Sequence, residues 1–483
     1  MTRPNAPYPL EPSGADMRRM VEVAMERIVA HIESLPQQPA HDLDDAPALA
    51  RALAEPMPES GGDLEDMLAL LFDRAVPKSF NTAGPGYLAY IPGGGLFHSA
   101  VADLIACAVN RYTGVWLAAP LLVQLELNVL RWFNDLVGYP RSAGGILTSG
   151  GSLANFSAIV AARRAKLPEA FLDGRIYVSD QVHHSVAKAA MLAGFPPHAV
   201  RVVASDNAFR LDLQALARAI AEDRAKGATP FLLVGSAGTT NTGAVDDFPR
   251  LADVAAAENL WLHADAAYGG FFVLTERGRK VLRGMDRADS ITLDPHKGLF
   301  LPYGTGCLLV RDATTLRRAH ELHAEYLPEM RDGEEFVDFC QMSPELSRDF
   351  RGLRVWLPFK LLGAGAFRAS LDEKLDLARW AAQRLRELPQ IEVVTDPELS
   401  IVAFRLAPQG AGPDEENRRN REFQDRINAR RNVYLTGTTV RGRYLLRLCI
   451  LSFRTHMGRM ERCLEDIRQV LAELATGETA KTT

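Results

Sequence analysis

Cysteine is scarce and unpatterned in this 483-residue chain: there are five, Cys107, Cys307, Cys340, Cys449 and Cys463. An odd number without metal-ligand spacing excludes a disulfide scaffold and a cysteine-bound metal, and reduced thiols fit a cytoplasmic protein. Long apolar runs are also missing. Nothing approaches the roughly 20 apolar residues of a membrane-crossing helix, so no membrane partner is expected. The opening segment carries proline, glutamate and arginine around no apolar core, so no secretory leader is expected. Excess positive charge is absent too. The formal net charge is −5, and the arginine-rich pieces at 417–421 and 426–431 are interrupted by amides and acids. They read as solvated helix faces, and no nucleic-acid partner is expected. No G-x-G-x-x-G follows a candidate strand and no G-x-x-x-x-G-K-[ST] occurs, which disfavours dinucleotides and nucleoside triphosphates.

The chain is too long for a single ordinary core, so one large and one smaller domain are expected. Residues 15–35 carry a helical apolar pattern stopped by Pro36 and Pro39, and a second helical stretch runs from 63 to 72. An arm over 1–84 that buries one apolar face without a sheet of its own is expected to pack on a second subunit. Over 85–365, short apolar strands near 146, 175–178, 200–203, 231–234, 260–263, 291–293 and 306–310 are separated by helical patterns at 153–164, 213–224 and 248–258. That alternation predicts an α/β fold with a mostly parallel seven-stranded sheet. Residues 321–348 are acidic and aperiodic and contain Pro328 and Pro344, which predicts a long mobile loop with a functional role. A small α+β domain over 366–483 follows, with strands near 393, 402–406 and 445–449 and a closing helix over 457–475.

In a parallel sheet, ligands gather beyond the carboxyl ends of the strands. Asp265 ends one predicted strand, and Lys297 follows the next in Asp294-Pro295-His296-Lys297. A lysine that can form a Schiff base and an acid that keeps a pyridine nitrogen protonated are the two groups pyridoxal 5'-phosphate (PLP) requires. A neutral Lys297 amine further requires a lowered pKa. Gly151 and Ser152 open a helix after a strand, where free amides favour phosphate; a plain capped turn fits the same composition. His183, the first of a histidine pair at another strand end, is placed to stack on a flat ring. Ala267 lies on the same side as Asp265 with room for that ring, and Tyr268 reads as core. Thr240 fits a ring or substrate contact and a Thr/Gly turn equally well. His296 is placed near phosphate or lysine. Tyr326, on the expected loop, reads from the residues alone as a surface side chain.

Together these segments resemble the group II PLP-dependent amino-acid decarboxylases, which act on aromatic amino acids, histidine and glutamate. The likeness runs from about Gly84 to the C-terminus. It is densest at Asp180-Gln181-x-His183, Gly238-Thr239-Thr240, His263-x-Asp265-Ala266-Ala267-Tyr268, Pro295-His296-Lys297 and Phe350-Arg351-x-Leu353. The resemblance implies the aspartate-aminotransferase-like fold, fold type I, and a homodimer with shared active sites. It implies Lys297 as the Schiff-base lysine, Asp265 as the pyridine-nitrogen partner, His183 and Ala267 on opposite ring faces, and Thr240 near ring or substrate. Gly151, Ser152 and His296 would hold phosphate, and Tyr326 would protonate the carbanion left by CO2. A tyrosine at that position favours decarboxylation over aldehyde formation.

Three departures stand out. Asp294 replaces an asparagine that contacts phosphate, and an acid there repels the anion unless turned away. Ser347 replaces a loop glycine that approaches the partner's phosphate. Gly93-Gly94-Gly95 replaces polar residues near the substrate. Tyr90, Ile91, Pro92 and Tyr112, with Trp116 beside them, would line an apolar pocket, which makes an aromatic L-amino acid the expected substrate. Arg447 is the nearest candidate for a distal carboxylate and fits a structural role equally well. Acidic or other non-aromatic substrates, a carbon–carbon lyase, an aminotransferase, an aldehyde synthase and a non-enzymatic regulator are the rival readings.

Overall fold

The computed structural model describes residues 10–321, 336–408 and 410–476. Seven strands, β1 (Gly144–Thr148), β2 (Gly174–Ser179), β3 (Val200–Val203), β4 (Thr229–Ser236), β5 (Trp261–Asp265), β6 (Ser290–Leu293) and β7 (Gly306–Val310), form one sheet in the order β1-β7-β6-β5-β4-β2-β3. Neighbours from β3 to β6 are parallel, and β7 runs antiparallel to both β6 and β1. This is the fold-type-I α/β sheet the sequence predicts. Every residue of β5, β6 and β7 is buried, because helices cover both faces of a parallel sheet. That two-sided burial is why β7 reads as a continuous apolar run, while β5 and β6 also bury the polar His263, Asp265, Ser290 and Thr292.

The close packing beneath the site depends on Gly306. A Cβ there would fall 2.5 Å from the Cα of Gly150, so only glycine lets β7 pass under the turn that opens the helix Gly151–Lys166.

A second, antiparallel sheet has the order β10-β11-β9-β8, from β8 (Ile391–Val393), β9 (Ile401–Leu406), β10 (Thr436–Val440) and β11 (Arg443–Cys449). The sequence pattern missed β10, whose Thr-Gly-Thr-Thr-Val run is polar because it lies at the sheet edge. The helices Phe97–Val109 and Pro120–Val137 were also not anticipated. Leu88 joins the core of this second sheet and exchanges backbone hydrogen bonds with Tyr434 and Cys449. The element Arg351–Arg386 is two helices merged across a kink at Gly363, where φ is +71°. Its first half packs on the helices Phe97–Val109 and Pro120–Val137, and its second half on the small sheet's side.

The helix Gly14–Ser34 is capped by Ser13 and Asp16 and has no buried residue, leaving Met17, Met20, Val21 and Val29 exposed. Among the described residues, no helix is long and apolar enough to cross a membrane.

Of the loop expected over 321–348, residues 336–348 are described beside Glu321, and they are irregular apart from the short turn Phe339–Gln341 and tied to the rest of the chain. Phe339 is buried, the Asp338 carboxylate accepts from Trp116 N at 2.6 Å, and Arg348 pairs with Glu126 at 2.6 Å with both side chains buried. Ion pairs and two aromatic anchors, Phe336 against Trp116 and the buried Phe339, hold a segment that shows no periodicity.

Candidate active site

The carboxyl ends of β5 and β6 set the site. Asp265 is the last residue of β5, paired in register with Thr292 of β6, and Lys297 lies in the helical turn Pro295–Gly298 just beyond β6. Both line one cavity of about 280 Å³. Its other walls come from the 149–153 turn, Asn155, His183, Ser185, the 238–240 turn, Ala267, Tyr268, Asp294 and His296. The structure therefore brings together Gly151, Ser152, His183, Thr240, Asp265, Ala267, His296 and Lys297, which come from five separate stretches of sequence. His183, and not His184, faces the cavity.

Behind Asp265 lies a buried polar chain that the sequence did not reveal. Asn155 Nδ2 donates to Asp265 Oδ2 (3.2 Å) and to Ser185 Oγ (2.9 Å). Its Oδ1 accepts from Thr292 Oγ1 (2.7 Å) and lies 3.1 Å from His263 Nε2. Trp261 Nε1 donates to Ser290 Oγ (2.8 Å), which in turn lies 2.8 Å from His263 Nδ1. This pattern is satisfied by neutral His263 with its proton on Nε2. Burial agrees, pushing the His263 pKa down to about 4 against the pull of Asp265. Ser185 also meets His183 Nδ1 at 2.8 Å, and burial lowers the His183 pKa although Asp265 opposes it. Asn155 was detectable in principle, since it sits one helical turn after Gly151 on the same face.

Lys297 departs from expectation. Burial favours the neutral amine, but the charge and hydrogen bond of Asp294, with Asp265 behind them, outweigh it, and the net pKa is raised. Asp294 is not turned away from the site: its Oδ2 lies 2.9 Å from Lys297 Nζ. His296 is held by Thr305 O at 2.6 Å, and burial lowers its pKa.

Several expected residues are elsewhere. Tyr90, Ile91, Pro92 and Tyr112 do not line the cavity. Tyr90 is exposed with φ +49°, Pro92 is buried in packing, and the Tyr112 hydroxyl donates to Leu346 O at 3.0 Å. These positions depend on backbone turns that side-chain type does not encode. Ser347 is exposed and away from the cavity of its own chain. Tyr326 lies outside the described residues. Arg447 is structural here: it donates to the carbonyls of Thr240 and Tyr90 and to Thr436 Oγ1. Tyr268, read as core, is buried and bonded to Ser400, yet its ring also borders the cavity.

The fittings suit PLP. An amine stands within reach of a carboxylate anchored by an amide, an imidazole and an alanine flank a slot, and a glycine-opened helix end offers free N–H groups to an anion. Fold and site thus define a fold-type-I PLP-dependent enzyme.

Within that class, residues 48–407 match the model of the pyridoxal-dependent decarboxylase conserved domain, and the chain belongs to that family. It is a PLP-dependent L-amino-acid decarboxylase. It is 36% identical over 468 residues to the aromatic-L-amino-acid decarboxylase of Bacillus atrophaeus, covering 96% of this chain and 98% of the relative. The crystal structure of Oryza sativa TDC with PLP and tryptamine superposes with a TM-score of 0.90 at 27% identity, over 97% and 99% of the two chains. Catharanthus roseus tryptophan decarboxylase in complex with L-tryptophan gives a TM-score of 0.90 at 26% identity, over 97% and 100%.

Proposed function

We propose that the substrate is an aromatic L-amino acid, converted to its amine and CO2, with Lys297, Asp265, His183 and Tyr326 as the catalytic residues. The observation that carries this reading is the shared cavity of Lys297 and Asp265, flanked by His183 and Ala267. When bound, PLP supplies an aldehyde that condenses with amines and a ring that accepts the electron pair left by departing CO2.

The chain's own groups have distinct tasks. Asp265, steadied by Asn155 and by Ala267 N (3.3 Å), keeps a proton on the ring nitrogen. His183, restrained by Ser185, covers one ring face. Gly151, Ser152 and His296 hold the phosphate, and Thr240 contacts the ring or the substrate. Lys297 anchors the cofactor through Nζ and releases the product. Tyr326 returns a proton to the α-carbon.

Two facts favour an aromatic side chain over an acidic one. Among the described residues lining the cavity, none is an arginine, and Arg447 is committed to backbone carbonyls. The relatives named above are decarboxylases of aromatic amino acids. Tyr90, Ile91, Pro92 and Tyr112 do not line the cavity of the isolated chain, so we assign the substrate side to a homodimer. There Ser347 approaches the partner's phosphate, and the exposed apolar face of the helix Gly14–Ser34 is covered. We place an N-terminal arm at 1–84, the PLP domain at 85–365 and the small domain at 366–483, in a cytoplasmic enzyme.

The test is a panel of L-amino acids assayed for CO2, amine, aldehyde and hydrogen peroxide, alongside Lys297→Ala. Equimolar amine and CO2 from aromatic substrates are expected, with borohydride fixing the cofactor at Lys297. In Lys297→Ala, loss of the fixation and a fall in turnover of at least about 10³-fold are expected, as the cofactor's anchoring amine and its proton transfers are removed. Aldehyde and peroxide as main products, or full turnover without Lys297, would refute the assignment.

A further inference from the structure

Asp294 is a buried acid standing where an anion belongs. Its side chain is 2% exposed; Oδ2 lies 2.9 Å from Lys297 Nζ and 3.6 Å from His296 Nε2. Its Oδ1 is buried without a hydrogen-bond partner. A Cβ on Gly151, the first residue of the helix Gly151–Lys166, would fall 3.0 Å from Oδ2 and 3.4 Å from Oδ1. The carboxylate therefore borders the helix end whose free N–H groups draw negative charge. A phosphate brought to that helix end meets a like charge. A second conflict lies at Lys297, because an ammonium held by an ion pair is no nucleophile. Moving one proton removes both conflicts.

We propose that Asp294 accepts the Lys297 proton when the cofactor is captured, and then faces the phosphate as a neutral carboxylic acid. The N–H bond at Nζ breaks and an O–H bond forms at Oδ2 across the existing contact. The freed amine adds to the aldehyde carbon, a C=N bond forms and water leaves. Nothing is oxidised or reduced. The acid then has an O–H to donate where the carboxylate could only repel. This inference rests on the roles proposed for Lys297 and for the Gly151 helix end.

The groups facing Asp294 are His296 and Lys297 on its own turn, His183 from the turn after β2 and Cys307 from β7, with Asp265 of β5 acting on both Lys297 and His183. Behind them, Glu126 acts on Cys307, Tyr303 on Lys297 and Arg354 on His296. All of these remain in Asp294→Asn, so a difference between the two proteins isolates the carboxyl group.

Wild-type and Asp294→Asn enzymes, stripped of cofactor with hydroxylamine, are titrated with PLP at a series of pH values. In the wild type the proton stays in the site, whereas in the variant Lys297 must release it to solvent. Affinity of the variant is then expected to rise, relative to wild type, by about tenfold per pH unit. A second comparison needs no amine. In Lys297→Ala, Asp294 must draw its proton from solvent, so non-covalent PLP affinity falls by about tenfold per pH unit as pH rises. The Lys297→Ala/Asp294→Asn protein should lose that dependence. Parallel slopes in either comparison, with borohydride still fixing PLP at Lys297 of the wild type, overturn the role of Asp294 alone. Failure of wild type to fix PLP there at any pH overturns the functional reading and this inference together.

Discussion

Asn155 and Asp265 are joined side chain to side chain, 3.2 Å apart, beneath the cavity floor. All four hydrogen-bonding positions of the Asn155 amide are used, on Asp265, Ser185, Thr292 and His263. One side chain therefore orients both the acid proposed to hold the ring nitrogen and, through Ser185, the imidazole proposed to cover the ring.

Asn155→Ala should lower kcat by about 10- to 100-fold, the range seen when a supporting partner of a site ligand is removed, while KM changes little. It should also cost about 1–3 kcal/mol of stability, because buried polar partners are left unsatisfied. Steady-state kinetics and denaturant unfolding check both. A variant that loses stability but keeps kcat would reduce Asn155 to packing.

His263 makes a pH-dependent contribution whose sign is fixed by its lowered pKa. Below the ordinary 6.5 the unfolded chain gains a proton that the folded chain refuses until about pH 4. Stability from His263 is thus present above that window and lost as pH falls through it. Asp246, pushed up to about 6 by burial, acts in the opposite sense over a similar range, so the whole protein's profile hides the effect. Compared with His263→Gln, wild type should lose about 2 kcal/mol of relative stability between about pH 7 and 5. A constant difference across that range would contradict a neutral His263.

Glu126 and Arg348 form a buried ion pair at 2.6 Å, and Glu126 Oε2 also accepts from Gly352 N at 3.1 Å. Glu126→Gln leaves a buried guanidinium uncompensated and should destabilise by about 3–5 kcal/mol. Because Arg348 also stacks over Phe339 at 4.7 Å, the 336–348 segment should become the first site of limited proteolysis. Unchanged unfolding together with an unchanged cleavage pattern would show that the pair does not order it.

How much was legible beforehand follows from where each signal lives. β4 and β7 were readable because burial on both faces writes the apolar runs 231–234 and 307–310 into the sequence, and β5 and β6 through shorter apolar stretches beside buried polar residues. Asp265 and Lys297 were readable because their chemistry is unusual at strand ends. The contact of Asp294 with Lys297 spans three residues of one turn and was open to the same reading, yet the acid was weighed only for its repulsion of phosphate and not as a partner of the lysine. The polar edge strand β10 carries no apolar alternation. Asn155 owes its position to four partners from distant stretches, and the outward Tyr90 owes its own to a left-handed backbone. None of these leaves a mark in local pattern.

The bend at Gly363 makes the Arg351–Arg386 segment intolerant of length change. Each residue inserted or deleted on either side would spin everything downstream by about 100° around the axis, taking Lys374 out of phase with Thr455 O, 2.5 Å away. Natural relatives should therefore vary freely in the sequence of this rod but keep its count of residues fixed.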